Sequence, residues 1–297
     1  MGNVLFKYWI QAARPKTLLV SMAPVIMSVA FASVYMQIKW LPALICLVFA
    51  VLAQILSNFV NDYADGVKGI DADRIGPQRM VASGIISPAK MRKGIMIVGT
   101  VAFLIGCTLI YWGGWVLLPI GIVILLVALA YSTGPFPLSQ HGFGDLAVII
   151  FYGVIPVTLT FFIQTGMINL NIVLAGFAIG FVSDNLLIVN NMRDADNDLA
   201  NGKKTTVGIF GKRFMTLVYH ANQLIAIILG FVFFYHIVSP MTWLMASIPF
   251  LAYSIMVSCK FSKAKGFEYN KLIGLSSLEA IIFALTVVII IILKYYV

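Results

Sequence analysis

Nine long apolar runs, separated by short polar segments, constrain this chain more than any other feature of its sequence. A helix rises about 1.5 Å per residue, so about 20 apolar residues cross the hydrocarbon core of a bilayer. Only 10% of the residues are charged, against roughly 25% in soluble domains. The sequence therefore predicts an all-α integral membrane protein, with a single domain over residues 1–297. It predicts nine transmembrane helices, at approximately 18–37, 41–61, 92–112, 115–132, 145–164, 171–191, 214–236, 241–259 and 272–293.

The distribution of positive charge predicts the orientation of this bundle. With the N-terminus in the cytoplasm, all 20 basic residues except Lys39 and Lys294 fall on the cytoplasmic side. Such an excess of Lys and Arg is typical of cytoplasmic loops, and an odd number of spans puts the C-terminus outside. The same bias explains most of the net charge of +9, so we expect no nucleic-acid partner. We expect a multi-pass protein of the cell inner (cytoplasmic) membrane.

Acidic residues cluster where the second and sixth predicted spans end. Seven of the eleven acidic residues lie there: six in the stretches NDYADGVKGID and NNMRDADND, and the seventh, Asp73, just after the first stretch. Negative charge at a helix C-terminus opposes the helix dipole, so these groups call for a cation. Carboxylate and amide oxygens on one helical face suit Mg²⁺, which takes one or two protein carboxylates and completes its shell with water and phosphate oxygens. Spacings of three and four residues define two such faces: Asn58, Asn61 and Asp65 in the first, and Asn191, Asp194 and Asp198 in the second.

The sequence predicts that the two clusters face each other as Asp-rich cytoplasmic cap loops, at 61–90 and 191–213, and clamp a diphosphate through magnesium. Basic residues in the same segments are candidates for binding the phosphate oxygens: Arg74, Arg79, Lys203 and Lys204. A diphosphate head at a membrane surface suits an isoprenyl diphosphate, whose tail dissolves in lipid. Loss of the diphosphate leaves an allylic cation, and Tyr63 and Tyr131 are candidates to stabilise it through their ring faces.

At these motifs the chain resembles the UbiA-type intramembrane prenyltransferases over essentially its whole length. The segments that carry the resemblance are ARPKTLLVSMAPV, NDYADGVKGIDADRIGPQRMVASG, YSTGPFPLSQHGFGDLAV and NNMRDADNDLANGKKTTVGIFGK. Within that family they are most similar to the branch that prenylates 1,4-dihydroxy-2-naphthoate in menaquinone biosynthesis. The resemblance implies transfer of a polyprenyl group from a polyprenyl diphosphate to this aromatic acceptor, with loss of the ring carboxylate, giving demethylmenaquinone.

The resemblance also implies roles for individual residues. Asp65, Asp194 and Asp198 are the expected catalytic acids, and the implied magnesium ligands are Asn61, Asp65, Asn191, Asp194 and Asp198, supported by Asp62 and Asp71. Arg14 and Lys16 are candidates to attract the carboxylate of the acceptor. Asn58 and Asp184 complete the predicted acceptor site. Asp184 lies inside the sixth span, where an ionisable group is costly and usually functional.

Other functions stay open at the level of sequence. A prenyltransferase of the same family could act on 4-hydroxybenzoate, homogentisate or haem, because residue spacing does not define the acceptor pocket. A CDP-alcohol phosphotransferase also clusters aspartates around metal, but it needs DG followed by AR, whereas here DG leads to Val67 and Lys68. A secondary transporter would use carboxylates within the spans. Asp184 and Glu279 favour that class, while the position of most acids at helix ends disfavours it.

Overall fold

The computed structural model describes residues 2–70, 75–234 and 238–295, and in these ranges the chain is helical, without β-strands. Short 3₁₀ turns and one π-helical turn, Ile150–Val154, join some of the helices. The α-helices are α1 (Gly2–Ala13), α2 (Leu19–Ser33), α3 (Trp40–Val67), α4 (Pro88–Thr108), α5 (Ile110–Gly113), α6 (Leu117–Ala130), α7 (Gly144–Ile149), α8 (Ile155–Thr165), α9 (Leu170–Ala200), α10 (Thr206–Phe210), α11 (Lys212–Phe234), α12 (Pro240–Lys263) and α13 (Tyr269–Tyr295).

Several helices begin at a polar side chain that satisfies a free backbone donor of the first turn. The side chains of Ser87, Asn169 and Ser239 accept hydrogen bonds from backbone N–H groups three residues later, at 3.4, 3.0 and 3.1 Å. Pro88 and Pro240 follow at the first helical position, where the missing N–H of proline costs nothing. These caps define where the polar loops end and the apolar helices start.

The number of spans differs from the prediction of nine. Within the described residues, seven helices are long and apolar enough to cross a membrane, or up to eight if the bent pair Phe6–Thr17 and Leu19–Ser33 counts as one span. The segment predicted as span four is the helix Leu117–Ala130, with 14 residues. At 1.5 Å per residue it reaches only about 21 Å, short of the roughly 30 Å hydrocarbon core. Hydropathy located all these segments but did not give their helical length.

The first span starts before the predicted bounds of 18–37 and is broken rather than continuous. If the pair Phe6–Thr17 and Leu19–Ser33 is one span, its two halves meet at an angle of 53°, just after Arg14 and Pro15. Arg14 has a φ of 54°, and it is the one non-glycine residue with positive φ in the described ranges. Proline cannot donate the backbone hydrogen bond that a continuous helix needs, so the chain turns here. The turn directs the Arg14 side chain to the neighbouring helix α3, as described below.

The two aspartate-rich segments begin as helix and not as cap loops. Asp62 and Asp65 lie within α3, and Asp194 and Asp198 lie within α9. The two helices extend past their apolar stretches, to Val67 and Ala200. The acidic side chains are therefore held on rigid helical turns.

Glycines let α9 approach the segment around the π-helical turn very closely. A Cβ atom on Gly180 would lie 2.6 Å from the carbonyl oxygen of Ile149, and one on Gly176 would lie 2.7 Å from the Cα atom of Val154. Small residues spaced by four allow such backbone contact between membrane helices. This contact fixes the register of α9 against α7, one turn before Asp184 on α9.

Candidate active site

The two aspartate-rich helix ends meet at Lys203. Its Nζ atom lies 2.8 Å from Oδ2 of Asp65 and 3.6 Å from Oδ1 of Asp198. Asp65 and Asp198 are buried, with 2% and 6% of their surface exposed. The side chain of Asn197 donates to the carbonyl oxygen of Ile70 at 2.9 Å, which joins the end of α9 to the chain just after α3. The structure thus brings together segments more than a hundred residues apart in sequence.

Arg14 and Asn61 form the next layer of this cluster. A guanidinium nitrogen of Arg14 donates to Oδ1 of Asn61 at 2.6 Å. The amide nitrogen of Asn61 donates to Asp65 at 3.1 Å and to the hydroxyl of Ser132 at 3.2 Å. Asn61 therefore connects the acid–lysine cluster to the end of α6, where Tyr131 precedes Ser132.

Asp194 is held by its neighbour Arg193, which the sequence analysis treated only as an orientation signal. Nε and Nη2 of Arg193 donate to the two oxygens of Asp194, at 2.8 and 2.6 Å. The same guanidinium also donates to Asn190 and Asn270, so it ties α9 to the start of α13. Arg193 is only 5% exposed. The sequence signal that could have identified Arg193 is its position at the end of an apolar run, after two asparagines and directly before Asp194.

The side chains near the two helix ends fit a hard divalent cation. In the part of the chain that the structure describes, no three His, Cys, Asp or Glu side chains group closely enough to hold a metal by themselves. Mg²⁺ does not require three, because phosphate oxygens and water complete its shell. Oδ1 of Asp65 is buried and has no hydrogen-bond partner among the described residues. An unsatisfied buried carboxylate oxygen is costly, and a cation would relieve that cost.

Asp62, Asn58 and Tyr63 have other contacts than the predicted ones. Both oxygens of Asp62 accept from backbone N–H groups, of Met80 at 3.1 Å and Val81 at 2.9 Å. The side chain of Asn58 donates to the carbonyl oxygen of Ala13 at 2.9 Å. Tyr63 packs against the apolar cluster formed by the N-terminal arm and the segment before α4. We therefore assign these three side chains to holding those segments in place.

The remaining predicted residues are distributed around the cluster. Arg79 is buried and directly precedes Met80, so Asp62 fixes its backbone. Lys204 and Lys16 are exposed. The backbone N–H of Lys204 donates to the carbonyl oxygen of Gln140 at 3.1 Å, which joins the lysine loop to the loop after α6. Asn191 is buried on α9. Asp71 and Arg74 lie outside the described residues.

An apolar cavity lies beside the polar cluster, between α2, α3, α6 and the α7–α8 segment. Aliphatic and aromatic side chains form most of its wall, and the polar exceptions include Gln54, Tyr131 and Tyr152. The hydroxyl oxygen of Tyr131 would lie 3.4 Å from a Cβ atom on Gly144, at the start of α7. Tyr131 therefore lies between the apolar cavity and the polar side chains near the start of α7.

Asp184 is buried with 1% of its surface exposed, and one of its oxygens accepts from the amide of Asn222 at 3.0 Å. Asp145, which the sequence analysis did not single out, accepts from the hydroxyl of Thr206 at 2.6 Å. The two carboxylates interact electrostatically with each other. The structure thus adds Asp145 to the surroundings of the candidate site.

Comparison with known proteins gives consistent similarities. Residues 21–268 match the model of the UbiA prenyltransferase family. Proteins named 1,4-dihydroxy-2-naphthoate octaprenyltransferase from Haemophilus influenzae and Escherichia coli are 33% and 34% identical to this chain. The alignments cover 74% of this chain and 74% of the first relative, and 69% and 68% for the second. The structure of a UbiA homolog from Archaeoglobus fulgidus bound to GPP and Mg²⁺ superimposes with a TM-score of 0.69, at 15% identity, over 96% of this chain and 99% of that one.

Proposed function

The chain belongs to the UbiA prenyltransferase family, and from this premise we propose that it is a membrane enzyme that transfers a polyprenyl group from a polyprenyl diphosphate to 1,4-dihydroxy-2-naphthoate. Three bacterial relatives named 1,4-dihydroxy-2-naphthoate octaprenyltransferase, at 32–34% identity, support this acceptor. The product after loss of the ring carboxylate is the hydroquinone form of demethylmenaquinone, because the ring keeps both hydroxyl groups. The seven or eight apolar helices found among the described residues agree with a multi-pass membrane protein.

The observation that carries the proposal is the meeting of both acidic helix ends at Lys203. The Lys203 ammonium, at 2.8 Å from Asp65, can donate charge-assisted hydrogen bonds to a diphosphate that enters between the two helices. Arg79, buried beside this cluster, is the second basic group proposed for the diphosphate. Asn61, Asp65, Asn191, Asp194 and Asp198 would hold Mg²⁺, which when bound neutralises charge on the departing diphosphate.

The apolar cavity is the proposed site for the prenyl chain. Its aliphatic wall matches a hydrocarbon tail and excludes water from the reacting carbon. Exclusion of water matters because an allylic cation would otherwise be captured as an alcohol. Tyr131 lies at the polar end of this cavity, where its ring can stabilise the developing positive charge.

The acceptor is proposed to bind on the Arg14 side of the cluster. Arg14 reaches Asn61 from the break in the first span, so its guanidinium can pair with the acceptor carboxylate. In the reaction the C–O bond to diphosphate breaks and the diphosphate keeps the electron pair. The ring forms the new C–C bond, and its aromatic system is restored when the carboxylate leaves as CO₂. The overall change consumes no oxidant or reductant.

We further propose that the active site and the N-terminus face the cytoplasm, in the cell inner (cytoplasmic) membrane. The support is the charge bias: Lys203, Arg79 and Arg14 stand at the same end of the bundle as most other basic residues. Labelling of single cysteines placed in the loop after α9 and in the loop before α9 would test this orientation.

The experiment that tests the function uses the full chain in proteoliposomes with Mg²⁺, a polyprenyl diphosphate and a panel of aromatic acceptors. We expect turnover of 1,4-dihydroxy-2-naphthoate and not of 4-hydroxybenzoate or homogentisate.

Asp65→Asn is expected to lower kcat by at least about a hundredfold, which is the usual loss for a group that stabilises transition-state charge. The matched control is Asp196→Asn, because Asp196 lies on the same helix end as Asp198 but its side chain is 91% exposed. Equal activity of the two variants would contradict the proposed site.

A further inference from the structure

Close packing of α9 against α7 brings two carboxylates to the same level of the two helices. Gly180 meets the backbone at Ile149, and Asp184 and Asp145 lie one helical turn further along each of the two antiparallel segments. At the same level, a Cβ atom on Gly144 would lie 3.3 Å from Cδ2 of Leu187. Residues four apart share a helical face, so Asp184 and Asp145 continue the two contacting faces. The pair therefore follows from the register that the glycines set.

Each carboxylate of this pair has one satisfied oxygen and one unsatisfied oxygen. Oδ2 of Asp184 accepts from Asn222, and Oδ2 of Asp145 accepts from Thr206. Oδ1 of each residue is buried and has no hydrogen-bond partner in the described part of the chain. No ion pair joins either carboxylate to a Lys or Arg within the described residues. Buried carboxylate oxygens in that state are costly unless a donor binds them.

The pair also adjoins the place where the acceptor is proposed to bind. A Cβ atom on Gly144 would lie 3.4 Å from the hydroxyl oxygen of Tyr131, so this hydroxyl lies beside Asp145. The next residue, Ser132, is bonded to Asn61, which in turn accepts from Arg14. A ring whose carboxylate pairs with Arg14, next to the prenyl cavity, would have its other substituents on the side of this carboxylate pair.

On the basis of the proposed function, we propose that Asp145 and Asp184 bind the ring hydroxyl groups of the acceptor. As carboxylate oxygens the two unsatisfied atoms can accept hydrogen bonds, and a 1,4-dihydroxy ring supplies two O–H donors on opposite sides. Hydrogen bonds from hydroxyl groups to carboxylates are short and strong. They also increase electron density in the ring and so favour its attack on the allylic carbon. The carboxylate pair would thereby select acceptors that carry hydroxyl groups at both positions.

The test compares 1,4-dihydroxy-2-naphthoate with 1-hydroxy-2-naphthoate and 4-hydroxy-2-naphthoate, each of which lacks one hydroxyl. Their affinities are measured as KM for the substrate and as competitive inhibition constants for the analogues. For the wild-type protein we expect about a ten- to hundredfold preference for the dihydroxy compound, the usual size of a hydrogen bond to a charged group. Asp184→Asn and Asp145→Asn are each expected to reduce the preference over one analogue to less than about threefold, with KM for the polyprenyl diphosphate unchanged.

Glu279→Gln is the matched control, because Glu279 is a fully buried carboxylate that accepts from Gln223 on a different helix pair. It is expected to keep the wild-type preference. An unchanged preference in both aspartate variants, or a parallel rise in KM for both substrates, overturns the inference. If Asp184→Asn does not fold, the inference is tested with Asp145→Asn alone, because the amide oxygen of Asn can still accept from the hydroxyl of Thr206. A wild-type protein that does not use dihydroxynaphthoate would instead refute the proposed function, so the two failures are distinguishable.

Discussion

Replacement of Lys203 by Met is the change that tests the central cluster most directly. Methionine keeps an unbranched apolar side chain of similar length and removes only the ammonium group. That group lies 2.8 Å from Asp65 and 3.6 Å from Asp198, and the Lys203 side chain is 10% exposed. Loss of one donor that stabilises transition-state charge costs about 3–4 kcal/mol, equivalent to roughly a hundred- to thousandfold in kcat. Removing one partner of a buried ion pair also destabilises the folded protein, by about 3 kcal/mol or more.

The matched control for this change is Lys212→Met. Lys212 also pairs with an aspartate of α9, at 2.9 Å from Asp196, but the two side chains are 50% and 91% exposed. Exposed pairs contribute between about 0 and 1 kcal/mol, so this variant should retain kcat within about twofold. The assay measures diphosphate release and the thermal unfolding midpoint of both variants, in the same detergent and at the same Mg²⁺ concentration. A Lys203→Met protein with kcat within threefold of wild type would refute the proposed role of Lys203.

Two further predictions concern the elements that hold the site in place. Asp62→Asn replaces one of the two oxygens that accept from Met80 and Val81 by an NH₂ group, which leaves a buried N–H unsatisfied at a cost of about 1–3 kcal/mol. We expect faster proteolysis of the segment before α4 and a higher KM for the polyprenyl diphosphate. Unchanged values of both would contradict the anchoring role of Asp62. Gly180→Val should lower the thermal unfolding midpoint strongly, because even its Cβ atom would lie 2.6 Å from a carbonyl oxygen of the facing helix. Gly121→Ala should leave the midpoint unchanged, because no atom of the described residues lies within 4 Å of its Cβ position. Equal midpoints for the two glycine variants would show that the close contact is not required.

The general architecture was accessible from sequence because apolar length and charge bias are local signals. Hydropathy found the helical segments, and the spacing of Asn61 and Asp65 correctly indicated that a helix presents them on one face. The prediction of nine spans is not confirmed in the described residues, because hydropathy cannot tell a helix of 14 residues, Leu117–Ala130, from a full span. It also gave no sign of the break at Arg14, which depends on one backbone angle.

The detailed contacts of the site could not be derived in this way. Residue spacing shows which side chains share a face of a helix, but it does not show which other segment that face contacts. Asp62 lies three residues before Asp65, and the family resemblance implied that it supports the magnesium ligands. Its actual partners are the N–H groups of a segment that folds back from residues 80–81. Asp145 was missed because its significance arises only when Gly180 brings α9 against it. Both cases depend on long-range packing, which a single sequence does not record.

The left-handed backbone at Arg14 has a consequence for which residues this position can accept. A non-glycine residue in that conformation costs of the order of 1–3 kcal/mol and persists only where surrounding contacts require it. Glycine would relax the backbone but would leave Asn61 without the guanidinium that reaches it at 2.6 Å. Position 14 therefore combines an unfavourable main-chain conformation with a side chain that this conformation directs to Asn61, in the proposed active site.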